Sequence, residues 1–167
     1  MAAKKAGFPM TKEQFTTKIL ALEKSMYHTA IAVLKNDDDC ADAMQNAIML
    51  AYKNLPSLKK PEFFNTWLTR ILLNECYKLI RSRGNTVEYE DYLEPAQDAG
   101  SDSLENSELF GEIMQLGESY RVPIVLHYIE GYSVKETAAM LGATPAAVKQ
   151  RLLRARKILK ERFGERL

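Results

Sequence analysis

Two cysteines and two histidines are all that this chain of 167 residues holds of the side chains that most often bind metals or act as nucleophiles. Cys40 and Cys76 are too few and too far apart for a metal site or a disulfide framework, and each sits where a small apolar helix residue fits. They suit a reducing compartment. His28 and His127 are isolated and read as structural, and neither a nucleophile–base pairing nor a phosphate-binding glycine loop is present. No catalytic residue, metal ligand or cofactor is therefore expected. Long apolar runs are also missing: none approaches the roughly 18 residues that span a bilayer. The opening MAAKKAGFPM lacks the apolar core of a signal peptide, so a cytoplasmic protein without membrane insertion is expected.

Positive charge is absent from one whole stretch. Residues 84–120 hold 10 Asp/Glu and not one Lys or Arg, whereas residues 1–83 hold 13 Lys/Arg against 8 Asp/Glu and residues 121–167 hold 10 against 4. The formal net charge of +1 conceals this pattern. Two basic blocks around an acidic one suggest two modules that face nucleic acid, joined by a segment that DNA repels.

What is present is helical periodicity. With 46% hydrophobic and 27% charged residues the composition is that of a soluble globular protein. Phe15, Ile19, Leu22, Met26, Ala30 and Val33 recur at helical spacing, predicting a first helix from an N-cap at Thr11 to about Leu34. Asp37, Asp38 and Asp39 place negative charge at the start of a second, where the helix dipole favours it. That helix continues through Met44, Ile48, Ala51, Tyr52 and Leu55 until Pro56, with Asp39, Asp42, Gln45, Asn46 and Lys53 on its exposed side. After a basic turn with Lys59 and Lys60, a third helix is predicted from about Glu62 to Arg83. It mixes Phe63, Phe64, Trp67 and Tyr77 with Asn65, Arg70, Asn74, Lys78 and Arg81. Aromatic faces beside cations and amides suit single-stranded DNA, although Phe64 and Trp67 fit a helix core equally well.

Then GNTVEYEDYLEPAQDAGSDS, from Gly84 to Ser103, shows no period and reads as an extended linker at a domain boundary. Leu104, Phe110, Ile113, Met114 and Leu116 start a fourth helix, and a short one beginning near Val122 and Pro123 ends at Gly131. The expected architecture is all-α, with two small helical domains at 11–83 and 104–167 joined by the acidic linker 84–103.

Residues 133–163 read as a helix-turn-helix. Ser133 with Glu136 forms a capping box, Gly142 stops the helix, and Thr144–Pro145 starts another. At about 100° per residue, Leu152, Ala155 and Leu159 fall within about 40° of Val148 and make with it a buried stripe. Gln150, Leu153, Arg154 and Lys157 point away from it, with Lys149 and Arg151 on the flanks. That is the arrangement of a recognition helix: Arg and Gln can read base edges in the major groove, and flanking cations hold phosphates.

Several of these stretches are familiar. DCADAMQNAIMLAY, from Asp39 to Tyr52, resembles the D-x-x-Q and A-Y signature of region two of bacterial sigma factors, and FNTWLTRILLN, from Phe64 to Asn74, is similar to the W-L-x-R-I-x-x-N stretch that follows it. Residues 125–159, with G-Y-S-x-x-E-T-A and V-K-x-R-L-x-R-A-R-K-x-L, resemble region four. Both regions in order, with only a linker between, resemble the extracytoplasmic-function (ECF) subfamily over roughly residues 12–163.

The resemblance implies a promoter-specificity subunit of RNA polymerase and not an enzyme. Asp39, Asp42, Gln45 and Asn46 would dock on the clamp helices of the β′ subunit, and region four on the β flap. Lys59, Lys60, Asn65, Trp67, Arg70, Asn74, Lys78 and Arg81 would read and melt the minus-ten element. Thr144, Lys149, Gln150, Arg151, Leu153, Arg154 and Lys157 would bind the upstream promoter element. The resemblance further implies an anti-sigma partner, and a linker directed toward the polymerase active-site channel. This sequence departs from the family pattern with Asn46 where Glu is usual, Leu50 where a basic residue is frequent and Gly117 where Pro is common. Two other classes are compatible with the residues alone: a stand-alone helix-turn-helix regulator, and an adaptor that binds polymerase without initiating.

Overall fold

The structure, a computed structural model, describes residues 9–83, 104 and 107–164. Seven α-helices and short turns of tighter or wider helix account for its regular structure, and no strand occurs among the described residues. The chain divides into two compact units, Met1–Asn85 and Thr86–Leu167. The acidic stretch 84–103, with its carboxylates Glu88, Glu90, Asp91 and Glu94, lies outside the described residues.

The first unit is a bundle of three helices. Helix α1, Lys12–Leu34, begins with a reciprocal capping box: the Thr11 hydroxyl accepts from the Gln14 N–H at 3.1 Å, and the Thr11 N–H donates to the Gln14 side chain at 2.8 Å. Helix α2, Asp37–Lys53, is capped by Asn36, whose side chain accepts from the Asp39 N–H at 3.0 Å. Its buried face is Cys40, Ala43, Ala47 and Ala51, all small, and α2 packs against both α1 and α3. Short side chains let its backbone approach both neighbours, while bulk comes from Phe15 and Ile31 of α1 and Phe64, Leu68, Leu72 and Leu73 of α3.

Two expected boundaries move. Helix α2 ends at Lys53, and Leu55–Ser57 with Pro56 forms a separate 3-10 turn. A second 3-10 turn, Pro61–Phe63, precedes α3, Phe64–Ser82. Proline has no N–H to donate to a preceding turn, so it opens these short turns and does not continue a helix.

In the second unit α4 runs from Glu108 to Met114, capped by Ser107, and α5 from Glu118 to Ile124. Leu104 precedes α4 and Leu116 follows it, so both lie outside the helix they were expected to join. Pro123 lies inside α5, which starts earlier than expected, at Glu118 after its N-cap Gly117. Beyond it the chain widens into a π turn, Val125–Ile129, where the Glu130 N–H bonds to the Val125 carbonyl at 2.9 Å. Helices α6, Val134–Leu141, and α7, Pro145–Gly164, complete the unit. Phe110, Met114, Val122, Val125, Leu126, Val148 and Leu152 form its core. Arg121 is buried among them at 3% exposure, and its guanidinium donates to the Leu116 carbonyl at 2.8 Å. A charged group so deep needs such a partner.

Candidate nucleic-acid interface

The turn between α6 and α7 is built by local hydrogen bonds. The Ser133 hydroxyl accepts from the Glu136 N–H at 3.0 Å, and the Glu136 carboxylate accepts from the Ser133 N–H at 3.1 Å. Gly142 adopts a left-handed φ of 63°, and the Ala143 N–H reaches back to the Ala138 carbonyl at 2.9 Å. The Thr144 hydroxyl then accepts from the Ala147 N–H at 3.1 Å and starts α7.

Helix α7 buries Val148, Leu152 and Ala155, with Leu159 half-buried. Lys149, Gln150, Leu153, Arg154 and Lys157 are exposed, Thr144 is exposed at the turn, and Arg151 is half-buried on the flank. An apolar Leu153 at 57% exposure amid cations has no folding benefit, but it suits contact with a thymine methyl group or sugar.

In the first unit α3 brings most of its candidates together. At about 100° per residue, Trp67, Arg70, Asn74, Lys78 and Arg81 fall within about 80° of one another, a single stripe opposite the buried face. Arg70, Asn74, Lys78 and Arg81 are exposed, and Trp67 is half-buried with its ring centroid 5.9 Å from that of Phe64. Phe64 itself is fully buried, which assigns it to the core. Asn65 is exposed but lies on the other side of the helix, so α3 does not bring it to the stripe. Lys59 and Lys60 are exposed between the two 3-10 turns, and beside them Phe63 is 57% exposed, a prominence that its place in an apolar run concealed.

Asp42, Gln45 and Asn46 stand exposed on α2. Asp39 does not: it is 5% exposed, and both carboxylate oxygens accept from the Arg83 guanidinium at the end of α3. The expectation of an exposed Asp39 is corrected accordingly. On the helix wheel it borders the Cys40–Ala43 stripe, and its charge is matched by Arg83 instead of by solvent. Arg83, the last cation before the acidic stretch, thus ties the start of α2 to the end of α3. A groove of about 860 Å³ between α1 and α2 is lined by Leu20, Met44, Gln45, Ile48 and Met49 among others.

The remaining reactive groups are quiet. Cys40 and Cys76 are buried free thiols; burial first, and neighbouring negative charge second, pushes Cys76 up to about 12 and Cys40 higher still. Both remain protonated at neutral pH and are poor nucleophiles. His127 is held by a 2.7 Å contact between Nδ1 and the Tyr132 carbonyl, and His28 is buried. No group of three or more His, Cys, Asp or Glu able to hold a metal ion occurs among the described residues.

A capped helix-turn-helix whose second helix turns Gln150, Leu153, Arg154 and Lys157 outward defines a DNA-binding protein, and the separate α2–α3 unit shows that it is more than a bare helix-turn-helix. The Sigma-70 region 2 family matches residues 19–86 and the Sigma-70, region 4 family matches residues 109–159. The RNA polymerase sigma factor SigV of Bacillus subtilis is 26% identical over 90% of this chain and 91% of its own. The ECF RNA polymerase sigma-E factor of Haemophilus influenzae is 29% identical, over 90% of each. Among solved structures, the sigma factor RpoE of Bartonella quintana, in complex with the anti-sigma factor NepR, superposes with a TM-score of 0.75 at 27% identity, covering 89% of this chain and 96% of that one. The chain belongs to the sigma-70 family and is an RNA polymerase sigma factor of the ECF group.

Proposed function

We propose that this sigma factor divides its work between its two units, residues 11–83 binding core RNA polymerase and the minus-ten element and residues 104–167 binding the upstream element. Asp42, Gln45 and Asn46 on the exposed side of α2 dock on the clamp helices of the β′ subunit. Lys59, Lys60, Trp67, Arg70, Asn74, Lys78 and Arg81 hold the minus-ten strand once it is opened. Extruding a base costs a few kcal/mol, which stacking and backbone contacts repay. Gln150 and Arg154 read base edges, Leu153 packs on them, and Thr144, Lys149, Arg151 and Lys157 hold phosphates. Region four also meets the β flap. The polymerase performs the chemistry, so no residue of this chain is catalytic. A cytoplasmic location and regulation by an anti-sigma protein complete the reading; RpoE of Bartonella quintana is a sigma factor seen with such a partner.

The observation that carries the reading is the pairing, in one chain, of two outward cationic helix faces of different chemistry: α3 with Trp67 and Asn74, α7 with Gln150, Leu153 and Arg154. Run-off transcription with core enzyme and genomic fragments tests it. Specific transcripts that depend on this chain are expected. Tight duplex binding without the core would identify a stand-alone regulator, and core binding without any transcript an adaptor. On a responsive promoter, Arg154→Ala is expected to lose about 1–3 kcal/mol of discrimination at one upstream base pair, while Lys149→Ala weakens all sequences alike. An unchanged sequence preference for Arg154→Ala removes the base-reading role.

A further inference from the structure

Arg156 stands on α7 at a position where a cation has no part in the buried stripe, and no base-reading role follows from its place. At about 100° per residue it lies on the shoulder that also carries Lys149 and Lys160, and at 1.5 Å per residue it is about 16 Å from the start of the helix. The first turns of a recognition helix are the ones that reach base edges, so this shoulder faces the groove wall, where the phosphates are. Arg156 shares a depression of about 520 Å³ with Gln150, Leu153, Arg154, Lys157 and Lys160, and is therefore continuous with the upstream-element surface.

Arg156 is exposed, yet it is held. Its guanidinium donates to the Tyr128 hydroxyl at 2.8 Å and lies 6.0 Å from the centre of the Tyr128 ring. Tyr128, in the π turn, is 49% exposed. It is steadied in turn by the edge-on ring of His127, with centroids 4.8 Å apart, and His127 is fixed to the Tyr132 carbonyl just ahead of α6. A long side chain on a helix flank ordinarily gives up rotamer freedom when it binds, and an Arg already stretched across a tyrosine has less to lose.

We propose that Tyr128 and Arg156 form a clamp for one backbone phosphate of the upstream-element duplex, with Tyr128 as the positioning residue. This rests on the proposed reading of α7 as the helix that enters the upstream element. The chemistry is complementary. The phenol oxygen accepts from Arg156, which leaves its own proton to donate, and the guanidinium has five N–H donors of which that bond uses one. Two donors from two residues converge on one anion, the geometry in which Arg is favoured over Lys.

The test uses the full chain with core polymerase and a duplex promoter fragment recovered by run-off transcription, titrated over a range of salt concentrations. Arg156→Ala is expected to weaken binding roughly 10-fold, equally for all upstream sequences, and to reduce the log–log salt slope by about 0.9. Tyr128→Phe keeps the ring against His127 and removes only the hydroxyl; it is expected to weaken binding roughly 3-fold, and to add nothing in the Arg156→Ala background. Arg156→Lys should recover the salt slope but lose the dependence on Tyr128. A single neutral methylphosphonate linkage at the clamped position should abolish the difference between wild type and Arg156→Ala. The proposal is overturned by an unchanged slope in Arg156→Ala, by additive effects of the two substitutions, or by an altered base preference. If Arg154→Ala changes base preference while Arg156→Ala changes nothing, the clamp alone fails. If neither has an effect, the reading of α7 fails with it.

Discussion

Helix α3 is held along its length by its own bulky side chains and those of α1 against the small face of α2, whereas α7 follows a tightly capped corner and buries only three residues fully. On α3, Phe64, Leu68, Leu72, Leu73 and Cys76 lock the inward face, and the outward stripe from Trp67 to Arg81 inherits its direction from them. On α7 the direction comes from the capping box at Ser133, the left-handed Gly142 and the cap at Thr144. The first is an orientation fixed by packing along the whole helix, and the second joins local hydrogen bonds at the corner to a shorter packed stripe of Val148, Leu152 and Ala155. The contrast suits the two tasks proposed above. A surface that must take up an opened strand needs a half-buried aromatic such as Trp67 on a rigid bed. A helix that enters a duplex groove needs a defined corner and a free, cationic length.

The largest test of this contrast is Phe64→Ala. The side chain is fully buried and edge-on to Phe15 at a centroid distance of 5.8 Å. Its removal should cost about 3–5 kcal/mol, measured by urea unfolding. Trp67, the one tryptophan of the chain, is the fluorescent reporter and lies beside the cavity. A loss under about 1 kcal/mol would mean that packing does not define α3.

Arg83→Ala sharpens the same side. It leaves the buried Asp39 carboxylate without its bidentate partner, at a cost of about 1–3 kcal/mol. The arginine is 42% exposed, so solvent compensates part of the loss and the lower half of that range is expected. Affinity for core polymerase should hold once the variant is folded. If affinity falls while the unfolding midpoint stays in place, Arg83 or its tie to Asp39 serves polymerase binding and not the fold alone.

Gly142→Ala probes the other side and should have an effect no larger than that of Arg83→Ala. A Cβ at this position meets nothing within 4 Å, so the cost is only that of a left-handed backbone, about 1–2 kcal/mol. Thermal unfolding followed by circular dichroism measures it. Upstream-element binding should fall with it, and unfolding reported by Trp67 should not move. A neutral substitution would show that α7 is oriented by its core contacts instead of by its corner.

These differences explain which parts were legible beforehand. The corner could be read in the sequence because capping is a short-range matter: Ser133, Glu136, Gly142 and Thr144 act on backbone groups within four residues. The outward face of α7 followed from the helical period for the same reason. Asp39 was misplaced because its partner, Arg83, is 44 positions away, and nothing local distinguishes a carboxylate facing solvent from one facing a distant guanidinium. Asn65 belonged by composition to the stripe of α3 and is separated from it by half a turn. Phe63 and Phe64 are adjacent and identical, yet one is 57% exposed and the other fully buried. The 3-10 turn at Pro61–Phe63 makes that division, and residue type alone does not.

By itself, then, the sequence determined the helices, their caps, the separation of two basic modules by an acidic stretch, and the face that α7 turns outward, because these depend on the helical period and on neighbours a turn away. Only the tertiary structure decided that Asp39 is an internal tie, that Phe64 supports Trp67, and that Tyr128 holds Arg156. The first and third depend on two segments meeting in space and the second on the burial of Phe64, and burial and long-range pairing leave no periodic mark on the chain.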